Sequence, residues 1–293
     1  MAHVVKRTRP SVIKEILAAN DIAPSRVLGQ NFLADENILH IILTSAHVAE
    51  TDRVLEIGPG LGVLTEQLIA RCRHVVAIEK DARLATYIRD TFGGHPALRL
   101  IEGDALNQQL PELLRTEEIS HVISNLPYSS GTRILMELIT ASCRPLRLVV
   151  MLQSDVAERL AARPGSRIYG VASIYAQMYY DIVVRKSVSP SCFYPPPDVR
   201  SALVEGYRRA EPQAALDDHA LFGQLVKWCF SQRRKQIGRI LLKAPGTVVP
   251  VGSDVSELLE KTGIRPDQRP ESIPVRDWGL LANQLASGKN CAG

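Results

Sequence analysis

The stretch Asn125-Leu126-Pro127-Tyr128 carries the side chains best suited to a reaction. The amide oxygen of Asn125 and a neighbouring backbone carbonyl, that of Leu126 being the candidate, make two uncharged acceptors. Such a pair can hold both N–H donors of an aromatic amine, so that its lone pair, otherwise delocalised into the ring, points at an electrophile. Pro127 stiffens the turn. Tyr128 offers a flat face for a base taken out of its stack, worth about 1–3 kcal/mol per base. A turn cap at Asn125 ahead of the proline is the plainer reading of the same residues. Transfer by this route needs alignment and electrostatic support, and no dedicated general base. In keeping with that, the seven histidines are scattered, and no Ser/His/Asp or Cys/His set stands out.

Three more groups share this placement at the end of an apolar run. Glu56-Ile57-Gly58-Pro59-Gly60-Leu61-Gly62 is a glycine turn, with Gly58 and Gly60 letting backbone approach a ligand. Its spacing is G-x-G-x-G, unlike the dinucleotide G-x-G-x-x-G, and it has no lysine or arginine to meet a pyrophosphate. Glu79 closes the next run and can accept both hydroxyls of a ribose, which fits either NAD or S-adenosylmethionine. Asp104, in Glu102-Gly103-Asp104, can accept from the adenine amine of such a cofactor. With S-adenosylmethionine as the cofactor, the electrophile is its sulfonium methyl, and the amine at Asn125 is N6 of a target adenine. Each acid alone could be a solvated turn cap; four groups at successive strand ends converge on the crevice where open α/β sheets bind ligands.

The elements that must position these residues are legible as alternating patterns. Apolar runs at 53–57, 75–79, 98–102, 121–125 and 146–152 suit buried strands, with helical periodicity over 61–71 and 82–92 between them. Helices are also expected at 11–20 and 36–48, with a loop at Gly29-Gln30-Asn31-Phe32-Leu33. This is an α/β pattern, a doubly wound parallel sheet. Runs at 179–186 and 201–207, flanking Pro195-Pro196-Pro197, are expected to finish it as an antiparallel pair. Helical patterns then cover 216–243, 255–261 and 275–285. One boundary is therefore expected near 212, with a catalytic domain over 1–212 and a small all-α domain over 213–293.

With 45% hydrophobic and 23% charged residues, the chain has the composition of an ordinary globular protein. Its net charge of +4 permits a polyanionic partner without requiring one. Five scattered cysteines indicate neither a disulfide frame nor a metal site and fit a reducing cytoplasm. The basic start, residues 1–10, has no apolar stretch after it, so no secretory signal and no membrane span are expected.

Taken together, these motifs resemble those of the rRNA adenine dimethyltransferases, which modify two adjacent adenosines near the 3′ end of small-subunit (16S) rRNA. The match runs from about Ile16 to Leu285. The resemblance implies a Rossmann-like class I S-adenosylmethionine-dependent methyltransferase sheet and a 30S-precursor substrate for a monomeric enzyme. It implies that Asn31 and Leu33 touch the cofactor along with Gly58, Glu79, Asp104 and Asn125. Phe193, opening Phe193-Tyr194-Pro195-Pro196-Pro197, would be a second aromatic wall for the base. Gln232-Arg233-Arg234-Lys235 is similar to the family's basic signature. The chain departs from the family's pattern at Ser129-Ser130-Gly131-Thr132, at Ser154 and at Arg200.

No acid occurs from His219 to Ser253, while Lys227, Arg233, Arg234, Lys235, Arg239 and Lys243 do, which suggests either a phosphate-facing stripe or a solvated helix face. Competing readings are a 23S rRNA adenine methyltransferase of the macrolide-resistance type, which more often has Asn-Ile-Pro-Tyr, and a non-catalytic rRNA-binding factor. The intact 125–128 motif speaks against the latter. An NAD oxidoreductase lacks a recognisable hydride site.

Overall fold

The computed structural model describes residues 6–290; residues 1–5 and 291–293, Cys291 among them, lie outside the described residues. Along the first half run α1 (Pro10–Ala19), β1 (Phe32–Leu33), α2 (Glu36–Ala46), β2 (Arg53–Ile57), α3 (Val63–Ile69), β3 (His74–Glu79) and α4 (Ala82–Phe92). They are followed by β4 (Leu98–Glu102), α5 (Leu110–Thr116), β5 (His121–Asn125), α6 (Gly131–Thr140) and β6 (Arg147–Gln153). Next come α7 (Ser154–Leu160), α8 (Val171–Tyr179), β7 (Tyr180–Val188), β8 (Phe193–Tyr194) and β9 (Ser201–Arg208). The chain then continues through α9 (His219–Ser231), α10 (Ile237–Leu241), α11 (Val255–Thr262) and α12 (Val275–Asn290).

Seven strands form one sheet in the order β4-β3-β2-β5-β6-β9-β7, and β1 pairs with β8 in a separate two-stranded clip. The pairs β2–β3, β3–β4, β2–β5 and β5–β6 are parallel, and β9 is antiparallel to β6. The chain builds outward from β2 to β4 and then returns to lay β5 beside β2. That reversal opens a crevice at the carboxyl ends of β2 and β5, where open parallel sheets take ligands.

Sheet burial follows from residue type. Val75, Val76 and Ala77 are consecutive and all fully buried, so both faces of β3 are covered. Each valine buried this way contributes about 1.5–3 kcal/mol. On α4, Leu84, Ala85, Ile88 and Phe92 form the buried stripe, and Asp81 caps the helix by accepting from the Arg83 amide. The N-terminal helix packs Ile13 and Leu17 with Phe32, Leu61 and Leu84, which fastens the loop after α1 to the glycine turn.

The chain divides into two compact units, one of residues 1–157 and 182–208, the other of 158–181 and 209–293. This differs from a single boundary at 212, because 158–181 groups with the C-terminal helices. Long-range packing accounts for it. Tyr169 is fully buried, with its ring 6.2 Å from that of Phe230 and its hydroxyl donating to the Ile273 carbonyl at 3.0 Å. Tyr175 meets Phe222 edge-on at 5.4 Å. Trp278, also fully buried, lies 5.8 Å from Phe230 at the centre of this helical unit.

The helix expected over 216–243 is broken into α9 and α10. Its first amides after the break are taken by another loop: Ile237 donates to Gln268 and Gly238 to Pro266. A Cβ at Gly238 would stand 3.1 Å from the Pro266 side chain, so a larger residue would push this loop back by a few tenths of an ångström. No helix is long and apolar enough to cross a membrane among the described residues, nor do His, Cys, Asp and Glu cluster there as a metal site.

Candidate active site

Gly58 to Gly62 turns the chain from β2 into α3, and its backbone is held by the neighbouring strand. Gly58 donates to the Ile78 carbonyl at 2.9 Å, and Gly60 to the Glu79 carboxylate at 3.1 Å. Gly60 has φ +57°, and a Cβ there would meet the Phe32 ring at 3.1 Å, so any larger residue would be strained and crowd that ring. The second Glu79 oxygen accepts from the Asp81 amide at 2.9 Å. Glu79 is buried, and burial raises its pKa above the usual carboxylate range, against the lowering effect of these amides.

Asp104 sits beyond β4. One oxygen accepts from the Leu106 amide at 3.0 Å and the other from the Lys80 ammonium at 2.8 Å. The Lys80 hydrogen bond, followed by that from Leu106, lowers its pKa and keeps it ionised. Glu56 is a third acid here, 1% exposed, with its carboxyl accepting from the Thr65 hydroxyl at 2.7 Å. Burial pushes it up to about 8, so it is mostly protonated near neutral pH.

These groups line a cavity of about 350 Å³. Asn31, Leu33, Gly58, Gly60, Glu79, Asp104 and Asn125 all face it, as do Leu126, Pro127 and Tyr128. An acid suited to a ribose, an acid suited to an adenine amine and apolar walls from Ile78 and Leu106 fit a nucleoside. The ionised carboxylate of Asp104, with Glu79 in the same cavity, suits a cationic ligand, and the set of groups therefore fits S-adenosylmethionine.

Asn125 ends β5, and its side-chain NH₂ donates to the Asn31 main-chain carbonyl at 3.0 Å. Gly29, in the same N-terminal loop, has φ +67°, and a Cβ there would lie 3.0 Å from the Tyr128 amide nitrogen. The loop is fixed by Gln30, whose side chain donates to Asp81 at 3.0 Å and accepts from the Ser25 amide at 2.7 Å. None of the described backbone hydrogen bonds outside the regular elements ends on the Leu126 carbonyl. The Tyr128 hydroxyl is hydrogen-bonded to that of Ser201.

Phe193 is placed elsewhere. It is 3% exposed, pairs with Leu33 in the β1–β8 clip and packs in the core cluster with Ile38 and Ile42. It does not line the cavity. Its β-bridge to Leu33 instead holds the loop that borders the cavity.

The basic stretch is also divided. Arg234, Lys235 and Arg239 line one recess of the helical unit together with Lys243 and Arg269. Asp267, the acid of that recess, is paired with Arg265 at 3.3 Å. Arg233 is instead engaged internally, by Glu271 at 3.0 Å and the Arg167 carbonyl at 2.8 Å. Lys227 is exposed on α9 and does not line the recess.

Sequence reading missed Gln30, Glu56, Lys80, Arg133 and Arg269 as cavity or recess residues. Glu56 could have been found, since a charged residue inside the apolar run 53–57 has to be buried with a partner. Arg269 lies among acids, with no local signal.

A family model described as ribosomal RNA adenine dimethylase matches residues 23–286. "Ribosomal RNA small subunit methyltransferase A" of Geobacillus thermodenitrificans is 38% identical over 284 residues, covering 94% of this chain and 96% of that one. The protein of the same name from Geobacter metallireducens is 37% identical over 266 residues, covering 90% and 96%. Among solved structures, a dimethyladenosine transferase from Plasmodium falciparum superposes with a TM-score of 0.76 at 24% identity, over 88% of this chain and 98% of its own. The 23S rRNA methyltransferase ErmE gives a TM-score of 0.62 at 27% identity, over 87% and 100%.

Proposed function

The chain belongs to the ribosomal RNA adenine dimethylase family, and from that membership we propose that it methylates N6 of two adjacent adenosines near the 3′ end of 16S rRNA, in the assembling 30S particle of the cytoplasm. One observation carries the reading. The Asn125 amide spends a donor on Asn31, which turns its oxygen into the free acceptor of a cavity also lined by Glu79 and Asp104.

Bound S-adenosylmethionine supplies an electrophilic methyl on a sulfonium. Glu79 holds the ribose hydroxyls, Asp104 accepts from the cofactor's adenine amine, and Gly58 and Gly60 give backbone access. The target adenine stacks on Tyr128, worth about 1–3 kcal/mol. Its two N6 hydrogens go to the Asn125 oxygen and the Leu126 carbonyl, which leaves the lone pair directed at the methyl. Neutral acceptors stabilise the positive charge that develops on N6 without carrying a charge of their own, and alignment supplies most of the acceleration. Forming the N6–methyl bond would break the methyl–sulfur bond, with the cofactor's neutral thioether as the leaving group, and the proton that N6 then gives up passes to solvent. The RNA phosphates lie along the recess of Arg234, Lys235, Arg239, Lys243 and Arg269.

A 23S rRNA substrate is the second reading, favoured by the likeness to ErmE. Relatives named for the small subunit, matched over nine-tenths of both chains, favour the first. Labelled S-adenosylmethionine, offered with unmethylated 30S subunits and separately with 23S rRNA, tests them. Label confined to 30S supports the proposal, and label confined to 23S rRNA moves the enzyme to the second reading.

A further inference from the structure

The hydrogen bond between the Tyr128 and Ser201 hydroxyls joins two different parts of the first unit. Ser201 is fully buried, opens β9 and stands opposite Gln153 of β6, so it belongs to the sheet. Tyr128 belongs to the turn between β5 and α6. The other described ties of that turn end on main-chain carbonyls, that of Leu126 on β6 of the same sheet. Leu126 donates to Met151, Ser130 and Gly131 donate to Pro127, and Ser129 reaches the Leu28 carbonyl at 3.4 Å.

A ring used for stacking alone needs no hydroxyl, because phenylalanine presents the same face. The phenol nevertheless turns into the protein, where burial raises its pKa above the usual tyrosine range and keeps it neutral. A neutral phenol and a serine hydroxyl can each donate or accept, so the pair is satisfied without a charge. A ring locked at its far end presents one plane to the base, so the lock acts on alignment for transfer more than on binding. In-line methyl transfer is sensitive to small errors in the plane of the base.

We infer that Ser201 is a positioning residue for methyl transfer, holding the Tyr128 ring through its hydroxyl at the angle on which the target adenine stacks. This rests on the reading of Tyr128 as the base platform. Ser201 itself touches neither base nor cofactor.

The test uses the full chain as wild type, Tyr128→Phe, Ser201→Ala and the double variant, with kcat, KM for 30S subunits, cofactor affinity and Tm measured on each. Each single variant is expected to lower kcat about five- to tenfold, with KM and cofactor affinity unchanged. The double variant should fall no further than the more impaired single, because both substitutions remove the same hydrogen bond. Wild-type kcat in both singles, with only Tm lowered, makes the bond purely structural and overturns the inference. So do losses that multiply in the double variant. If Ser201→Ala does not fold, Tyr128→Phe decides, since it keeps the ring. Wild type that labels no adenosine sinks the methyltransferase reading, whereas an active wild type with unaffected variants sinks the tether alone.

Discussion

The Asn125 side-chain amide donates to the Asn31 carbonyl at 3.0 Å, so the loop that borders the cavity also sets which way this amide, the proposed catalytic group, faces. Cofactor binding and amide orientation share one segment. The relation separates two substitutions that otherwise look alike. Asn125→Asp retains an acceptor oxygen but has no donor for the Asn31 carbonyl, and its carboxylate would be repelled by it. It is expected to lower kcat about 100-fold or more, close to Asn125→Ala, and also to weaken cofactor binding by displacing the Asn31 loop, which Asn125→Ala does not. Calorimetry with S-adenosylmethionine and single-turnover methylation check this, and near-normal kcat in Asn125→Asp would contradict it.

Gly29→Ala places a Cβ 3.0 Å from the Tyr128 nitrogen at φ +67°. The left-handed conformation costs an alanine about 1–2 kcal/mol, and the clash pushes the loop from the cavity. Both cofactor affinity and kcat should fall, unlike Asn125→Ala, which lowers kcat alone. Titration and turnover on the same preparation distinguish the two.

Glu56 gives a pH signature. Its carboxyl keeps a proton to about 8 in the folded chain, against 4.5 for the ordinary group, chiefly through burial and with a further contribution from Glu79. The unfolded chain therefore releases a proton first as pH rises, and stability present below about 4.5 is lost progressively up to about 8. Thermal unfolding of the ligand-free protein should show Tm falling over that window and levelling above it. Glu56→Gln, which retains an acceptor for Thr65, should flatten the slope in part, with buried Glu79 supplying the rest. An identical slope in the variant would remove Glu56 as its source.

The two neighbouring arginines of the basic stretch should behave differently. Neutralising Arg234, Lys235 and Arg239 is expected to weaken RNA binding and to reduce the slope of log K against log salt by about 0.7–0.9 for each phosphate no longer neutralised. Arg233→Ala should instead lower Tm, since Arg233 is paired with Glu271, and leave the salt slope unchanged. Filter binding across a salt series together with thermal melts tests both.

Much of this was legible in the sequence for an identifiable reason. The strands at 53–57, 98–102 and 121–125 form over those residues, because apolar runs between helical segments leave little ambiguity in a parallel sheet. Gly58, Gly60, Glu79, Asp104 and Asn125 converge on one cavity, because strand ends in a parallel sheet share an edge. What local pattern could not supply was long-range. The break between α9 and α10 depends on carbonyls near Pro266, and the placement of 158–181 depends on aromatic packing such as Tyr169 with Phe230. Phe193, a base wall by resemblance, and Arg233, a phosphate contact by charge pattern, are instead held by a β-bridge to Leu33 and by an ion pair to Glu271.

The most direct measurement is nucleoside analysis by mass spectrometry of 16S rRNA from unmethylated 30S subunits, incubated with S-adenosylmethionine and either wild type or Asn125→Ala. Wild type is expected to give N6,N6-dimethyladenosine at two adjacent positions, and the variant almost none while it still binds cofactor. Methylation at another atom or another base, or full dimethylation by Asn125→Ala, would contradict the proposed mechanism.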